Sequence, residues 1–452
     1  MATALIVLAA GQGTRMNSDL PKVLHPLGGV PLVVHAMASG DAVEPDKTVV
    51  IAGHGADAVE TAVLDYNPDA IVVRQSKQLG TGHAVMQAAD ALAGFEGDAI
   101  VVFGDTPFVR PETIAKMAAS RADGNAIVML GFEAADPGRY GRMIVGGGGL
   151  EQIVEAKDAN EAQLAITLCN GGLVAADAQV LFALLHTIGN DNASGEYYLT
   201  DIVAAARAQG HCASVVTCDE AETMGINTRA ELVRAEGIFQ AKKRAEALEN
   251  GVTMTAPETV FFGFDTYIGR DAVIEPNVVF GPGVTVESGA TIRAFSHLEG
   301  CHVSRGAVVG PYARLRPGTE LSENTKVGNF VEVKNATILE GAKVNHLSYI
   351  GDASIGARTN VGAGTITCNY DGFMKHRTEI GEGAFIGSNT MLVAPVKIGN
   401  EAMTATGSVI NKDVPDGALA LARARQEIKP GMARKLFDKL KKTKARRAEE
   451  AK

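Results

Sequence analysis

Over a long C-terminal stretch of this chain, aliphatic or aromatic residues recur at every sixth position. They are Ile268, Ile274, Phe280, Val286, Ile292 and Leu298, then, after a one-residue slip, Val303, Val309, Leu315, Leu321, Val327 and Val333. The series returns as Ile380, Ile386, Leu392 and Ile398, and glycine follows many such positions, as in IGRDA, VGPYA, VGNFV and IGSNT. A period of six is neither the 3.6 of an α-helix nor the 2 of a strand. It is the hexapeptide repeat of a left-handed parallel β-helix, in which three hexads make one triangular coil and each apolar residue stacks on its counterpart one coil above. Such a solenoid needs several coils to bury a continuous core, and the chain from about residue 252 supplies them. The register lapses in TCNYDGFMKHRTE, between Ile366 and Ile380. A loop leaving a rigid scaffold there is a natural seat for function.

The N-terminal half reads differently. Apolar runs such as ALIVL (4–8), TVVIAG (48–53), AIVVRQ (70–75), AIVVFGD (99–105) and AIVMLGF (126–132) alternate with helical patterns at 82–92 and 110–121. That alternation predicts an α/β, doubly wound, mostly parallel Rossmann-like sheet, with ligands at the carboxyl ends of the strands. Residues 228–250 read as a charged helix stopped by Gly251. The expected organisation is therefore a domain over 1–227, a helical linker over 228–250, the β-helix over 251–428 and a basic tail over 429–452.

Composition narrows the setting. A chain of 452 residues exceeds one ordinary domain. It has no apolar run near 18 residues, so no membrane span is expected. The N-terminus MATALIVLAAG lacks the basic region and cleavage site of a signal peptide. The five cysteines are scattered with no C-x-x-C pair, which argues for reduced thiols in a cytoplasm and against a zinc site. The net charge is −10, yet residues 429–452 carry ten Lys and Arg against three Asp and Glu. Such a tail suits a nucleic acid or an anionic surface, though most basic termini are solvated ends, and no nucleic-acid partner is expected.

Chemistry concentrates in a few segments. LAAGQGTRMNSDLPK (8–22) follows the first apolar run with Leu8, Ala9, Ala10 and Gly11, then Gly13, Arg15 and Lys22. Bare backbone N–H groups and two cations at a strand end suit a polyphosphate. Neither G-x-G-x-x-G nor the P-loop spacing is present. Gly80-Thr81-Gly82 opens a helix with a hydroxyl and free amides. In Phe103-Gly104-Asp105, the carboxylate after a buried strand is a natural Mg²⁺ ligand. Gly141, Glu155, Asn170 and Asn227 offer groups for sugar hydroxyls or a metal shell. In the repeat region, Arg316, Lys334, His346, Tyr349, Asn360, Asn369, Tyr370 and Lys375 cluster in sequence. Residues about 18 apart stack on neighbouring coils about 4.8 Å apart, as Arg316 does on Lys334. His346 is the natural general base.

The segments LAAGQGTRM, LPKVLHPLGG, QLGTGHA, FGDTP, YGRM, IVEAKDA, LCNGG and GEYYLTD, followed by RLRPGTEL, NHLSYIGD, NVGAGTITCNYDG, IGSNTMLVAPV and ALARARQ, cover nearly the whole chain in order. They closely resemble the bacterial bifunctional family joining N-acetylglucosamine-1-phosphate uridyltransferase to glucosamine-1-phosphate N-acetyltransferase. The resemblance implies a cytoplasmic enzyme that makes UDP-N-acetylglucosamine for peptidoglycan and lipopolysaccharide, a homotrimer joined through its β-helices. It implies His346 as base for acetyl transfer, Arg316, Lys334, Tyr349 and Asn360 for the sugar phosphate, and Ala363, Asn369, Tyr370, Ser388, Thr406 and Arg423 for acetyl-CoA. For uridylyl transfer from UTP it implies Arg15 and Lys22 as catalytic cations and Asp105 and Asn227 as Mg²⁺ ligands. Gln75, Gly80 and Thr81 would read the uracil, and Gly141, Glu155 and Asn170 the sugar. The chain departs from the family at Gln12, where a Lys is frequent, and at Thr406, where a small residue is usual. The alternative to this reading is a monofunctional sugar-nucleotide pyrophosphorylase on a structural β-helix.

Overall fold

The computed structural model describes residues 2–450, which divide into two compact units. The first spans residues up to Glu249 together with Phe261–Thr266 and Phe280–Gly283. Its centre is a nine-stranded sheet of β1 (Thr3–Ala9), β2 (Lys47–Ala52), β3 (Ile71–Arg74), β4 (Asp98–Phe103), β5 (Ile127–Glu133), β6 (Arg142–Gly146), β7 (Gly149–Val154), β8 (Leu168–Asp177) and β9 (Ala213–Cys218). The spatial order is β9-β5-β8-β4-β1-β2-β3, with β6 and β7 as a hairpin alongside β8.

Each face of β1 meets a separate apolar layer. Leu5, Val7 and Ala9 pack with α1 (Leu32–Gly40), α2 (Ala56–Tyr66) and α4 (Pro111–Ala122). Ala4, Ile6 and Leu8 pack with α3 (Thr81–Met86), α5 (Ala178–Leu185) and α6 (Asp201–Ala208). A strand buried on both faces must be apolar throughout, which is why ALIVL shows no alternation. β1 runs parallel to β2 on one side and β4 on the other, so its carboxyl end lies where the strand order reverses. Helix α7 (Arg229–Glu249) belongs to this unit, burying Ala235 and Phe239 against Met16, Leu27, Leu32 and Ile226.

The sheet is mixed, where the sequence predicts a mostly parallel one. β8 inserts between β4 and β5 antiparallel to both. It carries Asn170 inside the strand, at a register shift that runs through Gly171 and Gly172. The bulge re-aims Asn170, whose side-chain oxygen accepts from the Gly172 N–H at 3.0 Å.

The second unit is a parallel β-helix with three walls. One wall stacks Thr291–Ile292, Val308–Val309, Lys326–Asn329, Lys343–His346, Asn360–Val361 and Phe385–Ile386. The second stacks His297–Leu298, Arg314–Leu315, Glu332–Val333, Tyr349–Ile350 and Ile366. The third stacks Cys301–Val303, Thr319–Leu321, Ala336–Ile338, Ala353–Ile355, Thr378–Ile380 and Val396–Ile398. The hexad residues point inward and are buried. The inward ladder also continues through Ile338, Val344, Ile350, Ile355 and Val361. There the steps of five at Val333–Ile338 and Ile350–Ile355 are absorbed by seven-residue strands that run through a corner. After the last coils comes α8 (Met432–Glu450), which buries no residue.

Candidate active sites

In the first unit the carboxyl ends of β1 and β4 open a cavity of about 330 Å³. Leu8, Ala10, Gly11, Lys22, Gln75, Gly80, Thr81, Phe103 and Asp105 line it, with Gln78 and Glu196. Ala9 ends β1 behind this lining, and the Gly104 N–H donates to the Leu8 carbonyl at 3.0 Å. The two glycines of the opening turn do different things. Gly11 faces open space, so its backbone is accessible. Gly13 holds a left-handed φ of 63°, and a Cβ there would lie 2.5 Å from Lys22 Cβ. Gly13 therefore lets Lys22 pack against the turn.

Four polar groups converge at the mouth of this cleft. Lys22 Nζ donates to Asp105 Oδ2 and, at 3.0 Å, to Asn227 Oδ1. Arg15 donates to the same Asn227 oxygen at 2.8 Å. Asn227 is held by the start of α7, where Glu231 Oε2 accepts from the Asn227 and Thr228 N–H groups and Thr228 Oγ1 accepts from the Glu231 N–H. This is a capping box, so the helix start fixes Asn227 just before it. A carboxylate oxygen and an amide oxygen sharing one ammonium form a hard-donor pair that fits Mg²⁺.

The base end of the cleft is built by segments far apart in sequence. The Gln75 side chain is buried and hydrogen-bonds His83 Nδ1 at 2.8 Å, and the Gln78 amide donates to the Ala10 carbonyl. Thr81 Oγ1 accepts from the Leu199 N–H at 3.1 Å, so this hydroxyl also ties the helix start to the 195–201 segment. Gly80 has φ 108°, and a Cβ there would stand 2.6 Å from the Tyr197 carbonyl oxygen. Gly80→Ala should cost about 1–3 kcal/mol of stability. It should also raise the KM for UTP severalfold while acetyl transfer is unchanged, as thermal melts and separate assays of the two reactions would read.

Glu196 also lines a second cavity of about 500 Å³, with Arg139, Glu155, Lys157 and Tyr198. Asn170 N–H donates to the Gly141 carbonyl at 2.8 Å, and a Cβ on Gly141 would lie 3.3 Å from Glu155 Oε1, so these three form one group. Burial pushes the Glu155 carboxyl above its usual range, against the hydrogen bond from Thr200.

In the second unit two corners flank the second wall. Along the first corner, register places Asn329, His346, Ala363, Ser388 and Thr406 on successive coils. Exposed Arg423 donates to the Thr406 carbonyl at 2.7 Å. His346 Nδ1 lies 2.8 Å from Asn329 Oδ1. An amide oxygen can only accept, so Nδ1 carries the hydrogen and donates it, and Nε2 keeps its lone pair.

Along the second corner Arg316 stacks on Lys334, each one residue past an inward residue. The loop 369–377 brings Lys375 beside Lys334, and its ammonium, together with Arg316, holds Lys334 below the usual lysine range. Cations that repel one another in the free protein are a ready seat for an anion. Tyr349 lies on the wall between the two corners, paired with Glu332. Asn360 stands on the neighbouring wall, stacked on Lys343, and is not on the wall of Tyr349.

Asn369 is buried and donates to Asp352, which also accepts from Asn335 at 2.6 Å. Burial favours the neutral acid at Asp352, but these two hydrogen bonds and the charges of Lys375 and Lys334 hold it below the usual carboxylate range. The Asn369 amide thus anchors the root of the loop. Tyr370 is exposed, its hydroxyl turned to the Gly372 carbonyl.

Comparison with known proteins now adds what geometry leaves open. The MobA-like NTP transferase domain family matches residues 5–161, and the bacterial transferase hexapeptide family (six repeats) matches 265–300 and 377–412. The bifunctional protein GlmU of Ruegeria sp. (strain TM1040) is 67% identical over 450 residues, covering 99% of this chain and 100% of that protein. GlmU of Dinoroseobacter shibae is 66% identical, and that of Paracoccus denitrificans 65%, each covering 98% of both chains. The chain belongs to the GlmU family. It is a bifunctional transferase with uridyltransferase and acetyltransferase activities, which sets aside the monofunctional alternative.

Three residues that the structure adds to these candidate sites were not legible as such. Gln78 and Glu196 lie in segments with the right composition, QLGTGHA and GEYYLTD, but carry no distinguishing spacing. Asn329 is signalled only by its place 17 residues before His346, one coil earlier. If His346 is the base, Asn329 acts as a positioning residue, through its contact with Nδ1. Asn329→Ala should lower kcat for acetyl transfer about 10- to 100-fold through base misplacement. KM for glucosamine 1-phosphate should be unchanged, and Asn329→Asp, which keeps an acceptor, should recover most of the rate.

Proposed function

We propose that the two units divide the two reactions between them, the acetyltransferase site being shared between neighbouring β-helices, with the two sites acting in sequence. In the β-helix, the amine of glucosamine 1-phosphate attacks the acetyl-CoA thioester carbonyl, the C–S bond breaks and CoA leaves as its thiolate. His346 Nε2 takes the amine proton. Arg316, Lys334 and Lys375 bind the sugar phosphate, with Tyr349 and Asn360 orienting the ring. The corner of Ala363, Ser388, Thr406 and Arg423, with Asn369 and Tyr370 at the loop, receives acetyl-CoA. The observation that carries this reading is the pairing of His346 with Asn329 on one edge of a wall whose other edge holds Arg316 and Lys334.

In the first unit a phosphate oxygen of N-acetylglucosamine 1-phosphate attacks the α-phosphorus of UTP and pyrophosphate leaves. Arg15 and Lys22 neutralise developing charge, Gln75, Gly80 and Thr81 hold the base, and Gly141, Glu155 and Asn170 hold the sugar. Mg²⁺ would be held by Asp105 and Asn227 and supplies charge neutralisation on the phosphates when bound. The chain works in the cytoplasm as a homotrimer joined through its β-helices, an assembly that hexapeptide-repeat proteins favour.

The reading is tested by withholding one substrate. With glucosamine 1-phosphate, UTP and Mg²⁺, pyrophosphate should appear only when acetyl-CoA is added or when N-acetylglucosamine 1-phosphate replaces the amine. Pyrophosphate without acetyl-CoA would make the free amine sugar the true acceptor.

A further inference from the structure

Among the described residues, helix α8 buries no side chain against the rest of the fold. Its apolar side chains Met432, Leu436 and Leu440 follow one another at intervals of four, so they line one face, with Phe437 beside them. All four are 45–64% exposed. At about 100° per residue they cover a sector of about 140°, and Arg434, Lys435, Lys439, Lys441 and Lys442 take the remainder. Residues 432–450 hold eight Lys and Arg against three Asp and Glu, a net charge of +5 on a chain whose net charge is −10.

Different occupants would use this helix differently. A groove on another protein would take Leu436, Phe437 and Leu440 and leave most of the cations in water. A nucleic acid would take the cations and leave the apolar face in water. An anionic bilayer surface takes both, because flexible cationic side chains reach the phosphates while apolar side chains enter the acyl boundary. No helix among the described residues is long and apolar enough to cross a membrane, so the contact lies in the plane of the surface.

We propose that α8 docks this protein on anionic lipid bilayers, its Met432–Leu436–Phe437–Leu440 face in the headgroup boundary and its lysines on the lipid phosphates. The test is co-sedimentation of the full chain with phosphatidylcholine–phosphatidylglycerol vesicles, against pure phosphatidylcholine, with both enzyme activities as the check on folding. Wild type should pellet with the anionic vesicles at least about tenfold more than with the neutral ones, and salt should release it. Leu436→Glu with Phe437→Glu should abolish pelleting, as should Lys439→Glu with Lys441→Glu and Lys442→Glu, all without loss of either activity. Equal pelleting with neutral vesicles, or full pelleting by the Leu436/Phe437 variant, overturns the proposal. So does a change in oligomeric state of that variant in vesicle-free solution, which would assign the apolar face to a second copy of the chain. Binding of double-stranded DNA by the cations, with no binding to anionic vesicles, overturns it too.

Discussion

His346→Ala should lower kcat for acetyl transfer by about 10²–10⁴, the usual contribution of a positioned general base. Uridylyl transfer to N-acetylglucosamine 1-phosphate should be unchanged. The side chain is exposed at a corner of the β-helix and is not part of the buried inward ladder, so its removal leaves that ladder intact. What is lost is a nitrogen that keeps its lone pair because Asn329 accepts from the other nitrogen at 2.8 Å. Release of free thiol from acetyl-CoA reads the first activity and release of pyrophosphate the second. A variant that kept thiol release within a few fold of wild type would remove His346 from the role of base.

Asp105→Ala should have the opposite signature. Uridylyl transfer should fall by about 10²–10³ or more, the scale on which loss of one preorganised electrostatic group acts on charge developing in a transition state. Thiol release should stay at the wild-type rate. The Asp105 side chain is 18% exposed and that of Lys22 13%, so the substitution leaves a largely buried ammonium without its carboxylate partner. Some loss of stability in the first unit is therefore expected as well. Asp105→Asn separates the two effects, since it keeps the shape and an oxygen for Lys22 while removing the charge. It should restore the melting temperature more than the rate.

How far these sites could be read from sequence depends on what kind of geometry each needs. The β-helix declares itself because its core is one residue in six, and inward direction follows from position in the hexad alone. The strict count loses the ladder after Val333 because Ile338 and Ile355 each come one residue early, at corners that a continuous strand absorbs. Once coils are stacked in register, Arg316 and Lys334, or Ser388 and Thr406, become neighbours by arithmetic. The first unit offers no such arithmetic. Lys22 meets Asp105 across 83 residues and Asn227 across 205, so only the residue types were visible, not their meeting. Strand direction is likewise silent in side-chain pattern. A strand buried on both faces is apolar whichever way it runs, so the antiparallel insertion of β8 between β4 and β5, and with it the bulge that aims Asn170, could not be foreseen. Gly13 shows the same limit on a smaller scale, since its spacing suggests a phosphate cradle and its contact is the side chain of Lys22.

The most direct test of two separate sites is a mixing experiment. His346→Ala and Asp105→Ala proteins are each supplied with glucosamine 1-phosphate, acetyl-CoA, UTP and Mg²⁺, alone and in equal mixture, and UDP-N-acetylglucosamine is measured. Neither variant alone should make appreciable product, since one lacks the acetyl step and the other the uridylyl step. The mixture should make it readily, because N-acetylglucosamine 1-phosphate released by the Asp105→Ala protein is the substrate of the intact first unit in the His346→Ala protein. A mixture as inactive as its parts, with wild type active under the same conditions, would contradict the division of the two reactions between these two sites.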